Sequence, residues 1–278
     1  MLKVHVFQSG EAGIFANAYL VETSAHLVAV DSTLLESTSK TLHQQAVKLG
    51  KPLKAVLLTH GHPDHYNGVT NLVGPANADV IATEGVDRVI RNYDAAKQEQ
   101  WSGMFGAEWP SKRTFPNKIL GDGESIHVDG VTFTVYDLGP GESHSDSYWL
   151  VERDGRKVAF IGDVVLNRVH AFLTDGHSTP WLKNLERLTV ELQGVEMIYP
   201  GHGDAGGLEL LAWETNYLQE YRKAGTSLAK GDSKLTDDQK AKLTAHMDNY
   251  LQGKNLEFLV GLGADSVAAE LASKSKAT

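Results

Sequence analysis

The chain has 278 residues, 41% of them hydrophobic, with a formal net charge of -9, twelve histidines and no cysteine. That length and apolar content suffice for a buried core, and the acidic balance argues against nucleic acid as a partner, because affinity for a phosphate backbone rests on clustered Lys and Arg. Without cysteine there are no disulfides, thiolate nucleophiles or sulfur ligands, so any metal has to be held by imidazole and carboxylate.

The first residues, Met1 to Phe7, alternate like a strand and lack the apolar core of a signal peptide. No window approaches the roughly 18 uninterrupted apolar residues of a membrane span. The expectation is a soluble, cytoplasmic protein that has no membrane partner and acts on a small molecule. Strands are expected at 18–21, 26–30, 54–58, 131–135, 148–151 and 158–161, where short apolar runs lie between loops rich in Gly, Asp and His. Leu35, Leu42, Ala46 and Leu49 have helical spacing, and Gly50 stands as the stop.

Between Tyr93 and Phe115 lies an aromatic stretch that includes Trp101, Met104, Phe105 and Trp109. Two readings stand for it. The aromatics pack on the body or form a homodimer contact, or Trp101 and Phe105 line a flap that accepts an apolar acyl or ring substituent. Further on, Thr179-Pro180 reads as a helix N-cap and first turn, and Thr236 with Gln239 reads as a capping box. From about Gly206 the pattern is helical almost to the end, with a fraying small-residue tail over 272–278. The division expected is 1–205 as a catalytic α/β domain and 206–278 as a helical extension packed on the same domain.

The strand ending at Thr59 runs into His60-Gly61-His62-Pro63-Asp64-His65-Tyr66-Asn67-Gly68. His60 and His62, two apart in an extended turn, point the same way and can converge on one ion; Asp64 and His65 begin the next turn, a helix starting near His65, and can address a neighbouring ion. Three imidazoles and a carboxylate behind a buried strand are costly to desolvate without a cation. Gly61 and Gly68 would let the backbone bend closely around the metals. His5, His26, His43, His127 and His246 have no partner visible in sequence and read as structural or exposed.

The order His-x-His-x-Asp-His resembles the signature of the metallo-β-lactamase superfamily, and companion motifs follow in sequence. Gly139-Pro140-Gly141-Glu142-Ser143-His144 looks like the glycine-rich loop before a further metal-binding histidine, which implies His144 as the third ligand of the first ion and leaves Glu142 as a solvated loop residue. Phe160-Ile161-Gly162-Asp163 is similar to the strand end carrying the aspartate that bridges the metals, Tyr199-Pro200-Gly201-His202-Gly203 to the turn carrying the last histidine, and Asp31 to the family's supporting carboxylate.

The resemblance implies an αββα sandwich with additional C-terminal helices and two divalent ions, zinc first and iron or manganese as alternatives, held by His60, His62, His144, Asp64, His65, Asp163 and His202. It also implies a hydroxide shared by the ions that attacks an ester, lactone or thioester carbonyl, with Asp163 as bridge and Asp64 orienting the water or passing a proton. The competing functions are β-lactam or phosphodiester hydrolysis, an iron-dependent redox enzyme such as a persulfide dioxygenase, and a non-catalytic metal-binding protein. His170 and His177, on the loop after Asp163, are either scaffolding or substrate contacts.

Overall fold

The computed structural model describes residues 2–252 and 255–275. Among them, eleven strands form two sheets. In the first, β1 (Lys3–Gln8), β2 (Asn17–Glu22) and β3 (Leu27–Val30) form antiparallel pairs, and β4 (Leu53–Leu57), β5 (Asp79–Ala82) and β6 (Lys118–Ile119) continue it in parallel. In the second, β7 (Ser125–Val128), β8 (Val131–Gly139), β9 (Asp146–Arg153) and β10 (Arg156–Gly162) run as an antiparallel meander, and β11 (Met197–Pro200) joins β10 in parallel.

The strand period of two decides which side chain meets which layer. In β2, Tyr19 and Val21 face the other sheet and meet Phe133, Trp149 and Phe160, whereas Ala18 and Leu20 face helices α1 (Glu36–Lys48) and α4 (Glu84–Phe105). On the far side, Ile161 and Ile198 pack under Trp181, Leu185 and Leu188 of α5 (Ser178–Glu191). The layers are therefore helix, sheet, sheet, helix. Short helices α2 (Pro63–Tyr66) and α3 (Val69–Val73) follow β4, and α6 (Glu209–Ala229), α7 (Asp237–Leu251) and α8 (Phe258–Ser275) pack against the α5 side through Tyr217, Leu218, Leu243 and Val260.

The predicted strands and the helix ending before Gly50 are present, with Gly50 at φ +71°. The Thr236–Gln239 capping box is made in both directions, at 3.3 and 2.7 Å. Other expectations change. The backbone N–H groups of Ser178 and Thr179 donate to the Glu270 carboxylate on α8, so a distant glutamate, not Thr179, caps α5. The helix after His62 starts at Pro63, the aromatic stretch is mostly α4, and α8 continues to Ser275, leaving only 276–278 of the tail outside the described residues. No helix among the described residues is long and apolar enough to cross a membrane.

Candidate metal centre

Four strand ends meet at one edge of the sandwich. β3 leads to Asp31, β4 to His60 through His65, β10 to Asp163 and β11 to His202. The segments are pinned to one another: Ser147 N–H donates to Thr59 C=O at 2.8 Å, Trp149 Nε1 to Leu58 C=O at 3.1 Å, and Asn17 Nδ2 to Gly203 C=O at 2.7 Å. Gly201 is required here, since a Cβ would come within 1.7 Å of Asp163 Oδ1. Gly61 and Gly68 serve differently from the expectation: a Cβ on them would strike Val89 and Ser39, so they allow α4 and α1 to pack close and do not bend around a metal.

Besides the trio Asp31, His60 and His65, two clusters of buried ligand atoms result. Asp64, His65, Asp163 and His202 form one, with His202 Nε2 3.2 Å from both Asp64 Oδ2 and Asp163 Oδ2, and His65 Nε2 3.2 Å from Asp163 Oδ1. His60, His62 and Glu142 form the other, with Glu142 Oε2 3.0 Å from His62 Nδ1 and 3.6 Å from His60 Nε2. Asp163 Oδ2 also lies 3.9 Å from His60 Nε2, which brings this carboxylate between the clusters.

On His60, His62 and His65 the ring nitrogens that face away from the clusters have partners, which fixes their tautomers, whereas His202 Nδ1 is buried without a hydrogen-bond partner. Asp31, at φ +57°, accepts from Thr59 N–H and Oγ1 and stands 2.9 Å from His65 Nδ1. Thr59 Oγ1, its own proton given to Asp31, stands 3.0 Å from His60 Nδ1. His62 Nε2 is 3.2 Å from Asp175 Oδ2. Each ring thus directs its other nitrogen's lone pair inward. His60 Nε2, His65 Nε2, both Glu142 oxygens and Asp163 Oδ1 are buried with no hydrogen-bond partner, an arrangement that is expensive unless a cation receives those lone pairs.

The electrostatics agree. Burial pulls His62 down, but Glu142 and Asp175 outweigh it and lift the ring to about 10, holding a proton where Nδ1 and the carboxylate converge. A divalent ion would take that proton's place. Burial opposes ionisation of Asp163, yet His202 and His65 keep it well below the usual carboxylate range. Burial, helped by the neighbouring Asp163 and Asp146 carboxylates, pushes Glu142 up to about 8 against the pull of His62.

His144 is not in either cluster. Its Nδ1 is 2.7 Å from His177 Nε2, its ring stacks on Tyr93, and its side chain is 33% exposed. Glu142, 2% exposed, is the residue of this loop that lies against His60 and His62. The cause is the turn: Glu142 N–H and Ser143 N–H both donate to Asp146, which aims the residue directly after Gly141 inward and the one two positions later outward. Asp175 was also missed, having no spacing that ties it to the histidines. His170 is buried between Tyr217 Oη (2.8 Å) and Asp248 (3.0 Å). His5, His26, His43, His127 and His246 all pair outside the site.

Trp109 is buried against Leu34 and Leu35, with Trp101 and Phe105 partly buried beside it. The latter two also line a cavity of about 850 Å³ whose lining includes His62, Asp64, Glu142, Asp163 and His202.

The family model described as the metallo-beta-lactamase superfamily matches residues 12–202. The chain is 24% identical to a metallo-beta-lactamase type 2 of Bacillus cereus over 216 residues, 76% of this chain and 75% of that one. It is 24% identical to a hydroxyacylglutathione hydrolase of Albidiferax ferrireducens over 173 residues, 61% of this chain and 55% of that protein. Among solved structures, a metallo-beta-lactamase family protein from Thermus thermophilus superposes with a TM-score of 0.71 at 22% identity, covering 99% of this chain and 94% of that one. A metallo-beta-lactamase from Pontibacter korlensis gives 0.59 at 20%, covering 79% and 99%.

Proposed function

The chain belongs to the metallo-β-lactamase superfamily and is a metal-dependent hydrolase of that fold, and from this premise we propose a two-ion centre that cleaves a small-molecule ester, lactone or thioester. The observation that carries the reading is the set of inward lone pairs, on His60, His65, Glu142 and Asp163, buried without hydrogen-bond partners in two adjoining clusters. His60, His62 and Glu142 would hold one ion, and Asp64, His65 and His202 the other, with Asp163 shared. Four imidazoles and three carboxylates suit zinc, and also iron or manganese.

When bound, such a pair of cations supplies Lewis acidity and a water acidic enough to act as nucleophile near neutral pH. The protein's own groups do the rest. Asp31 and Thr59 hold His65 and His60 in the required tautomers, and Asp175 does so for His62. Asp64, which lines the cavity, is placed to accept the proton that leaves the nucleophile. No serine or cysteine nucleophile is needed.

Carbonyl substrates are favoured by two lines of support. The chain is similar to a hydroxyacylglutathione hydrolase, and Asp163 occupies the position where many zinc lactamases carry cysteine. The test is a panel of lactones, thioesters, esters, phosphodiesters and β-lactams offered to metal-loaded protein. Turnover confined to phosphodiesters or β-lactams, or oxygen-dependent oxidation of a persulfide, would overturn the proposal.

A further inference from the structure

We propose that the cavity over the metal ligands is a site for an unbranched acyl chain of medium length, gripped between the C-terminal half of α4 and the first turns of α8. This rests on the hydrolase reading and names the substrate part it leaves open.

The floor of the cavity is His62, Asp64, Glu142, Asp163 and His202, where a scissile carbonyl would sit. The walls are apolar. On α4, Lys97, Trp101, Met104 and Phe105 fall on one helical face and cover about 12 Å of its length at 1.5 Å per residue. On α8, Phe258, Leu259 and Leu262 face the cavity, while Val260, Ala264 and Val267 on the neighbouring face are buried in the core. That second wall is firmly seated: Tyr221 Oη donates to Val260 C=O at 2.5 Å, and Ser266 Oγ donates to Thr174 C=O at 2.7 Å.

Toward solvent both walls keep exposed apolar side chains. Met104 is 72% exposed, Phe258 54% and Leu262 40%, one on α4 and two on α8. Of the charged residues of the walls, Lys240 and Asp265 are paired with each other at 2.8 Å, the Lys97 ammonium lies over the Phe172 ring, and Glu11 is exposed to solvent. A small polar substrate would leave these walls wetted. A chain running from the floor to the rim covers them, and each methylene buried is worth about fourfold in affinity.

The experiment measures kcat/KM of metal-loaded protein for p-nitrophenyl acetate, butyrate, octanoate and decanoate, and, independently of turnover, binding of octanoate and acetate by calorimetry. The octanoyl ester should exceed the acetyl ester at least tenfold in kcat/KM, and octanoate should bind at least tenfold tighter than acetate. Leu262→Glu on one wall and Met104→Glu on the other, both at exposed positions that tolerate charge, should each cut the octanoyl-to-acetyl ratio at least tenfold. Hydrolysis with no dependence on chain length would overturn the acyl site and leave the hydrolase reading standing. Chain-dependent binding, lost in both variants but with no ester cleaved, would support the acyl site and count against carbonyl hydrolysis.

Discussion

Glu142 Oε2 stands 3.0 Å from His62 Nδ1, while Nε2 of the same ring is 3.2 Å from Asp175. An imidazole whose outer nitrogen is engaged and whose inner lone pair converges with a carboxylate is poised to share a cation with it. Glu142→Ala should therefore lower the metal content of purified protein from about two ions per chain toward one, with far-UV circular dichroism unchanged. His144→Ala should retain both ions. Elemental analysis giving the reverse pattern would return the ligand role to His144.

Asp31 tests the support of the centre and not its ligands. Its carboxylate accepts from Thr59 and orients His65, so Asp31→Ala leaves the His65 ring free to choose the wrong tautomer. Metal affinity should fall roughly 10- to 100-fold, the usual cost of losing such a partner. Competition against a chromophoric chelator measures it, and an unchanged affinity would show that the ring is held by packing alone.

Glu214 of α6 supplies a pH dependence. It is fully buried, accepts from Leu166 N–H at 3.0 Å and has no partner for Oε1. Burial raises its pKa well above 4.5, with Asp163 adding to the rise. The folded state therefore keeps a proton that the unfolded chain loses first. The stability from this group is full below about 4.5 and is lost as pH rises through the folded value. Glu214→Gln cannot ionise, so its Tm relative to wild type should be higher at pH 8 than at pH 5. A gap that does not change between the two would mean that Glu214 titrates normally in the fold.

The sequence showed most of the sandwich because the central strands are apolar on both faces and cannot be mistaken for loop, as in β3 and β10. The short strands β5, β6, β7 and β11 escaped, being brief and in part polar, as Lys118 and His127 show. His60 to His65 could be read because all four ligands are local. Asp175 could not, since it meets His62 only through a contact 113 residues apart in the chain. Glu142 was misread for a different reason. Its burial is decided by Asp146 drawing in the turn, and a glutamate between Gly141 and Ser143 looks solvated until that turn is seen. The Glu270 cap on α5 is likewise a contact between distant segments that replaces a plausible local one.

The most direct test of the account is metal titration of chelator-treated wild-type protein and Asp163→Asn, followed by calorimetry together with ester hydrolysis. The shared position of Asp163, 3.2 Å from His65 and His202 and 3.9 Å from His60, predicts two equivalents bound by wild type and a selectively weakened second equivalent in the variant, with hydrolysis falling alongside it. A single equivalent in wild type, or an Asp163→Asn variant that binds both ions and hydrolyses at the wild-type rate, would contradict the shared two-ion centre.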